Sequence, residues 1–147
     1  MPRLLTQCAV YLAAAIPGHF LWEIAQLPLY TIWQSGTAQE IRFAVLHCTG
    51  GDLMIASATL ILAVILAQLA GWKTFGQRTM LAAIVLGIAY TIFSEWLNVA
   101  IRHSWAYAPA MPVLPPFGTG LSPLLQWLVV PALAFWVARR VDRIRRT

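Results

Sequence analysis

Charged side chains are scarce in this chain of 147 residues, which carries five acidic residues against ten Lys and Arg. Soluble domains have about 25% charged residues, whereas this chain has 10% and is 60% hydrophobic. The composition therefore excludes an ordinary soluble domain and predicts a membrane protein. Cysteine is also rare: Cys8 and Cys48 are the only two, and they form no Cys-x-x-Cys motif. Nucleotide-binding glycine loops and haem-attachment motifs are missing as well.

Long apolar runs are what the chain does have, at residues 4–33, 43–72, 79–107 and 121–141. A hydrocarbon core about 30 Å thick is crossed by roughly 20 apolar residues in a helix. We therefore predict an all-α polytopic membrane protein, a bundle of four transmembrane helices. Short connections leave no room for a second domain, so residues 1–147 are one transmembrane domain with a loop at 108–120 and a basic tail at 139–147.

The distribution of Lys and Arg predicts the orientation. Arg42 and Arg102 fall on one side of a four-span topology, and all the other basic residues fall on the opposite side. Basic residues accumulate on the cytoplasmic side of a membrane. We therefore expect the protein to lie in the cell inner membrane with both termini in the cytoplasm. Tyr30 and Tyr107 would then anchor the outer interface. Topology explains the positive charge, so no nucleic acid partner is expected. The tail has the composition of a segment that binds anionic lipid headgroups, but a signal that fixes orientation is the favoured interpretation.

Three carboxyl side chains interrupt the apolar runs: Glu23, Asp52 and Glu95. An unpaired ionisable group in a membrane costs several kcal/mol and is a functional-site hypothesis by default. At a rise of about 1.5 Å per residue, Glu23 lies about 10 Å below the outer interface, and the other two lie roughly 13–15 Å below it. We predict that these three acids are the catalytic core of a polar pocket that opens outward and is closed below by apolar side chains.

Further polar residues lie near the mouth of this predicted pocket. His19, Glu23 and Gln26 follow the spacing i, i+4, i+7 and share one helix face. A second stripe contains Thr91, Glu95, Asn98 and Arg102. We expect five side chains to contact a ligand: His47, Asn98, Gln26, Gln126 and Trp105. The proline-rich loop 108–120 is interpreted either as a lid over the pocket or as a rigid connector, and Ser122 as the N-cap of the fourth helix.

Three kinds of function fit this pattern. A divalent metal ion such as zinc, iron or manganese would have Glu23, His47, Asp52 and Glu95 as ligands, although no compact metal-binding motif is present. Buried neighbouring carboxyl groups also suit acid–base chemistry on a membrane lipid or lipid-like molecule. The alternative is an accessory subunit with partner membrane subunits or a second copy. Its polar residues would then hydrogen-bond across helices, each contributing about 0.6–2 kcal/mol.

Two segments resemble known proteins. The run Trp22-Glu23-Ile24-Ala25-Gln26-Leu27-Pro28-Leu29-Tyr30, followed by His47-Cys48-Thr49, is similar to the emopamil-binding-protein-like (EXPERA) family. That family comprises small membrane bundles, including sterol isomerases and sterol-binding receptors, that hold ligands with intramembrane acids. The resemblance implies that Glu23 faces a ligand with His47 beside it, although this Glu lies on the first helix. The stretch from Trp105-Ala106-Tyr107 through Gly120-Leu121-Ser122-Pro123-Leu124-Leu125-Gln126-Trp127 resembles uncharacterised small four-helix bacterial inner-membrane proteins, which implies no activity.

Overall fold

The computed structural model describes residues 2–145, so Arg146 and Thr147 of the predicted tail lie outside the described residues. The elements, in chain order, are α1 (Pro2–Gln26), a 3-10 turn (Leu27–Leu29), α2 (Ile32–Ser35), α3 (Ala38–Leu69), α4 (Gln77–Glu95) with a π-helical continuation (Trp96–Ile101), β1 (Val113–Leu114), β2 (Thr119–Gly120) and α5 (Leu121–Ile144). Four of the helices are long and apolar enough to cross a membrane. The predicted all-α fold with four such helices is confirmed.

The four long helices form a bundle in which α1 and α4 each pack against both α3 and α5. Small side chains such as Ala15, Ala56 and Ala63 are fully buried at the helix contacts, which lets the helices approach closely. Aromatic side chains fill the remaining space. The ring of Phe135 lies 4.9 Å from that of Tyr11 and 5.1 Å from that of Phe75, measured between centroids. Four long apolar helices packed in this way are compatible with a multi-pass membrane bundle.

Local hydrogen bonding decides where α1 and α3 begin and end. α3 starts at Ala38, ahead of the predicted residue 43, because Thr37 and Glu40 form a capping box that satisfies two backbone N–H groups. It ends before Gly71, whose φ of +66° is the left-handed conformation that commonly closes a helix. α1 ends at Gln26 and not at residue 33. Pro28 lacks the N–H that a further helical turn requires, and a 3-10 turn follows.

The predicted loop at 108–120 contains a small antiparallel hairpin, β1–β2, with Val113 opposite Gly120. The chain before the hairpin is tied to the end of α1. The N–H of Thr31 donates to the carbonyl of Ala106 at 3.0 Å, and the N–H of Ala108 donates to the carbonyl of Leu29 at 2.9 Å. We call this the hairpin end of the bundle. α4 turns π-helical after Glu95 and ends at Ile101, short of the predicted residue 107.

The opposite end of the bundle holds the first and last described turns, and we call it the termini end. The guanidinium of Arg3 on α1 makes two hydrogen bonds of 2.9 Å to the carboxylate of Asp142 on α5. Both described ends of the chain therefore lie on one side of the bundle. That this side is cytoplasmic stays a prediction.

Candidate functional site

Glu23 of α1 and Asp52 of α3 meet inside the bundle at the amide of Gln126 on α5. Nε2 of Gln126 lies 2.8 Å from Oδ2 of Asp52 and 3.1 Å from Oε1 of Glu23. Glu23 and Asp52 are each 9% exposed, and Gln126 is 2% exposed. The two carboxyl groups are also within hydrogen-bond range of each other. Two carboxyl groups within hydrogen-bond range can pass a proton directly between them.

The polar stripe predicted on α1 is present and buried. His19, Glu23 and Gln26 are all at most a tenth exposed. The amide of Gln26 donates to Oε1 of Glu23 at 2.8 Å and lies 3.4 Å from Oε1 of Gln126. Gln26 and Gln126 were expected to contact a ligand, and in this structure both bond to protein groups. We call His19, Glu23, Gln26, Asp52 and Gln126 the acid–amide cluster.

His19 is the base that lies beside the two acids. Its Nδ1 is 3.0 Å from Nε2 of Gln126 and 3.5 Å from Oδ2 of Asp52, and its ring centroid is 5.1 Å from that of Trp127. His19 is 1% exposed, and its Nε2 is buried without a hydrogen-bond partner. Sequence reasoning placed His19 on the stripe without assigning it to the site. Its position four residues before Glu23 was the available signal.

Glu95, the third predicted acid, lies where α4 turns π-helical and is buried. The hydroxyl of Tyr107 donates a hydrogen bond to the carboxylate of Glu95 and accepts one of 2.9 Å from the N–H of Gly120. Burial, and secondly the hydrogen bond to Glu95, raises the pKa of the Tyr107 phenol, so the phenol stays a proton donor at neutral pH. The Glu95 carboxyl interacts electrostatically with Asp52. π-Helical turns are frequent at functional sites.

Trp105 lies beside this part of the site. Its indole nitrogen is close enough to the Glu95 carboxyl to interact with it. The nitrogen is nevertheless buried without a partner at normal hydrogen-bond geometry. Tyr107, which sequence reasoning treated as an interface anchor, therefore makes the closer contact with Glu95. Its position after the end of α4 gave no sequence signal for that contact.

Two predicted ligand residues contact groups outside the acid–amide cluster. His47 is exposed, and its ring stacks on that of Phe43 with centroids 5.4 Å apart. The amide of Asn98 donates to the carbonyl of Ser94 at 2.9 Å. Arg102, on the predicted stripe of α4, is exposed. Within residues 2–145, no Lys or Arg side chain forms an ion pair with the three acids.

The predicted metal ligands Glu23, His47, Asp52 and Glu95 do not assemble into a metal-binding group. Across the described part of the chain, no set of three or more His, Cys, Asp or Glu side chains is arranged to hold a metal ion. His47 lies on the exposed face of α3. The groups that bridge the two carboxyls are amide nitrogens, which donate hydrogen bonds.

Ser122 of α5 bonds to Gln26 of the acid–amide cluster. At the hairpin end, the hydroxyl of Ser122 donates to Oε1 of Gln26 at 2.9 Å and accepts from Nε1 of Trp22 at 3.1 Å. Ser122 therefore lies inside the first turn of α5 and links α5 to α1. The sequence predicted Ser122 as the N-cap of this helix, but the N-cap is Gly120.

On α3, a Cβ added at Gly50 or Gly51 would meet nothing within 4 Å. Open space therefore adjoins the backbone next to Asp52.

Cys48 provides a thiol next to the acids. It lies one helical turn before Asp52, is half-buried, and interacts electrostatically with all three carboxyl groups. A reagent that modifies this thiol therefore reports on access to the site. The cysteine is free in the structure, as is Cys8.

No family model, no curated protein and no solved structure matches this chain. The resemblance to the emopamil-binding-protein-like family and that to small bacterial inner-membrane proteins stay predictions. The geometry of the site is therefore the basis for a functional inference.

Proposed function

We propose that this protein binds a lipid-like molecule within the membrane and moves a proton on it, with Glu23 and Asp52 as the proton donor and acceptor. The observation that carries the proposal is the buried acid pair. The two carboxyls share the amide of Gln126 and have no Lys or Arg partner within residues 2–145. Ionisable groups inside a membrane are costly and mark a functional site by default.

The reaction class follows from the proton balance. The protonated carboxyl of the pair gives its proton to one carbon of a double bond, and the neighbouring carboxylate removes a proton from a nearby carbon. The double bond shifts, the composition of the substrate is unchanged, and no co-reactant is needed, so the reaction is an isomerisation. The pair then returns to its starting state by passing a proton across its own hydrogen bond, with His19 beside Asp52 as a relay.

The substrate class follows from the surroundings of the acids. The bundle is apolar, and the open space at Gly50 and Gly51 lies beside Asp52 on α3, so an apolar molecule can approach from the bilayer. The apolar surface around a few convergent polar groups is typical of sites for such ligands. The predicted Lys and Arg asymmetry supports an inner-membrane location with cytoplasmic termini. The acids would then lie nearer the outer face.

Deuterium transfer tests the proposal for any lipid substrate that the membrane contains. Membranes that contain the full-length protein are incubated in D₂O, and their lipids are analysed by mass spectrometry for deuterium at carbon. We expect wild-type protein to label a lipid species at least about a hundredfold faster than Glu23→Gln or Asp52→Asn does, since acid–base groups contribute about 10²–10⁴-fold. Labelling that persists in both variants, or no labelling at all, contradicts the proposal.

Glu40→Gln is the matched control for this experiment. Glu40 has the same side chain but is exposed at the start of α3, and Gln preserves a capping box. We expect it to label lipid at the wild-type rate. Elemental mass spectrometry on the same samples tests the metal alternative. A stoichiometric metal that is lost in Glu23→Gln would contradict the proton-transfer proposal and favour a metal site.

The second candidate is a non-catalytic accessory subunit. The specific observation in its favour is that Gln126 on α5 bonds to acceptors on both α1 and α3, so the cluster also holds three helices together. Interhelical bonds of this kind contribute about 0.6–2 kcal/mol each. A partner membrane subunit or second copy that co-purifies in native lipid, together with no lipid labelling, would favour this function.

A further inference from the structure

A second polar site lies at the termini end, away from the acid–amide cluster. A cavity of about 240 Å³ opens between α1 and α5, with Arg3, Thr6 and Gln7 on one wall and Asp142 and Arg145 on the other. We propose that this cavity binds a phosphate group, carried by an anionic lipid headgroup or by a soluble phosphate ester. The proposal is independent of the proton-transfer function.

Hydrogen-bond donors converge on this cavity. Nε and Nη2 of Arg3 are bonded to Asp142, which leaves Nη1 outside the bidentate pair. Gln7 is only 6% exposed and lines the cavity. No hydrogen bond joins its side-chain amide to the described residues, so the amide is available to a ligand atom in the cavity. Guanidinium groups bind phosphate oxygens strongly and directionally.

The charge and size of the cavity fit a phosphate group. Two arginines and one aspartate line it, so an excess positive charge remains after the pair between Arg3 and Asp142. Its volume is below the roughly 300–1,000 Å³ of pockets for drug-sized ligands, so it holds a headgroup and not a whole lipid. The cavity lies at the ends of two membrane-spanning helices, the level at which lipid phosphates lie. Val10 and Val141 add an apolar wall.

Phosphate binding is tested with the full-length protein in phosphatidylcholine nanodiscs. Short-chain phosphatidate is titrated, and bound copies are counted by native mass spectrometry. We expect Arg145→Gln to weaken binding about fivefold, the effect of one basic residue near an anionic surface, and Gln7→Leu to weaken it by a similar factor. Arg143→Gln is the matched control. Arg143 lies on the same exposed end of α5 but does not line the cavity, so its binding should stay within about twofold of wild type.

Equal losses in Arg145→Gln and Arg143→Gln would show attraction to general surface charge and overturn the proposal. Wild-type affinity in Gln7→Leu would overturn it too. Arg145 is exposed, so its variant does not depend on repacking of the core. Inorganic phosphate added as a competitor distinguishes the sources. Displacement of phosphatidate by inorganic phosphate identifies a site for a soluble phosphate ester, and no displacement identifies a lipid headgroup site.

Discussion

Gly87→Ala tests how tightly the bundle is packed around the site. Gly87 lies on the buried face of α4, where Trp127 of α5 packs directly on its backbone. A Cβ added at Gly87 would lie 2.2 Å from Cε3 of Trp127 and 2.8 Å from its Cζ3. Trp127 is 2% exposed and contacts His19, so its ring has little space into which it can move.

Two effects oppose each other in this substitution. Replacing Gly by Ala inside a helix stabilises it by about 1 kcal/mol. Overpacking a rigid core costs about 1–3 kcal/mol, occasionally more, and an approach to 2.2 Å is more than 1 Å closer than ordinary van der Waals contact. Steric overlap with a buried indole places the cost at the upper end of that range. We therefore expect a net loss of about 1–2 kcal/mol in the free energy of unfolding.

The matched control is Gly50→Ala on α3, where an added Cβ meets nothing within 4 Å. The helix preference then acts alone, and we expect a gain of up to about 1 kcal/mol. Stability is measured by equilibrium unfolding in mixed micelles with a rising fraction of a denaturing detergent, followed by tryptophan fluorescence. If Gly87→Ala proves as stable as Gly50→Ala, the contact between Trp127 and α4 is looser than described and the reasoning fails.

Two further predictions concern the polar groups of the site. Gln126→Leu removes the amide that bonds to both buried carboxyls, and we expect about 1–3 kcal/mol lower stability in the same unfolding assay; unchanged stability would show that the amide is not the link between the helices. Tyr107→Phe removes the hydroxyl that joins Glu95 to the hairpin, so the hairpin end should loosen and Cys48 should be alkylated several-fold faster. Alkylation of Cys8, near the termini end, is the internal control for that experiment. An equal rise at both thiols would indicate general unfolding and contradict a local role for Tyr107.

The sequence predicted the fold class because membrane solvation acts on composition and run length. The four apolar runs carry too few charged residues for a water-exposed helix, and they form four long helices. In lipid the backbone must satisfy its own hydrogen bonds, so each run is helical independently of the helices that pack against it. The bounds were less well predicted where a single hydrogen bond or backbone dihedral decides them. The capping box of Thr37 and Glu40 makes α3 begin earlier than predicted, and Pro28 makes α1 end earlier than predicted.

The candidate site was predictable where residues share one helix face. The stripe of His19, Glu23 and Gln26 follows from helical periodicity alone, and the structure buries all three. Periodicity does not say which faces of different helices meet. Gln126 became the bridge between Glu23 and Asp52 through the packing of α5 against α1, and His47, close in sequence to Asp52, faces outward.

The sequence by itself determined four helices long and apolar enough to cross a membrane, with Glu23, Asp52 and Glu95 in three of them, because helix length and hydropathy depend on residue type alone. Only the tertiary structure decided the partners of those acids. It joined Glu23 and Asp52 through an amide, gave Glu95 the hydroxyl of Tyr107, and placed Gln7 in the wall of a cavity between α1 and α5. These contacts depend on helix rotation and on how the hairpin folds back, and both are set by the packing of side chains from distant parts of the chain.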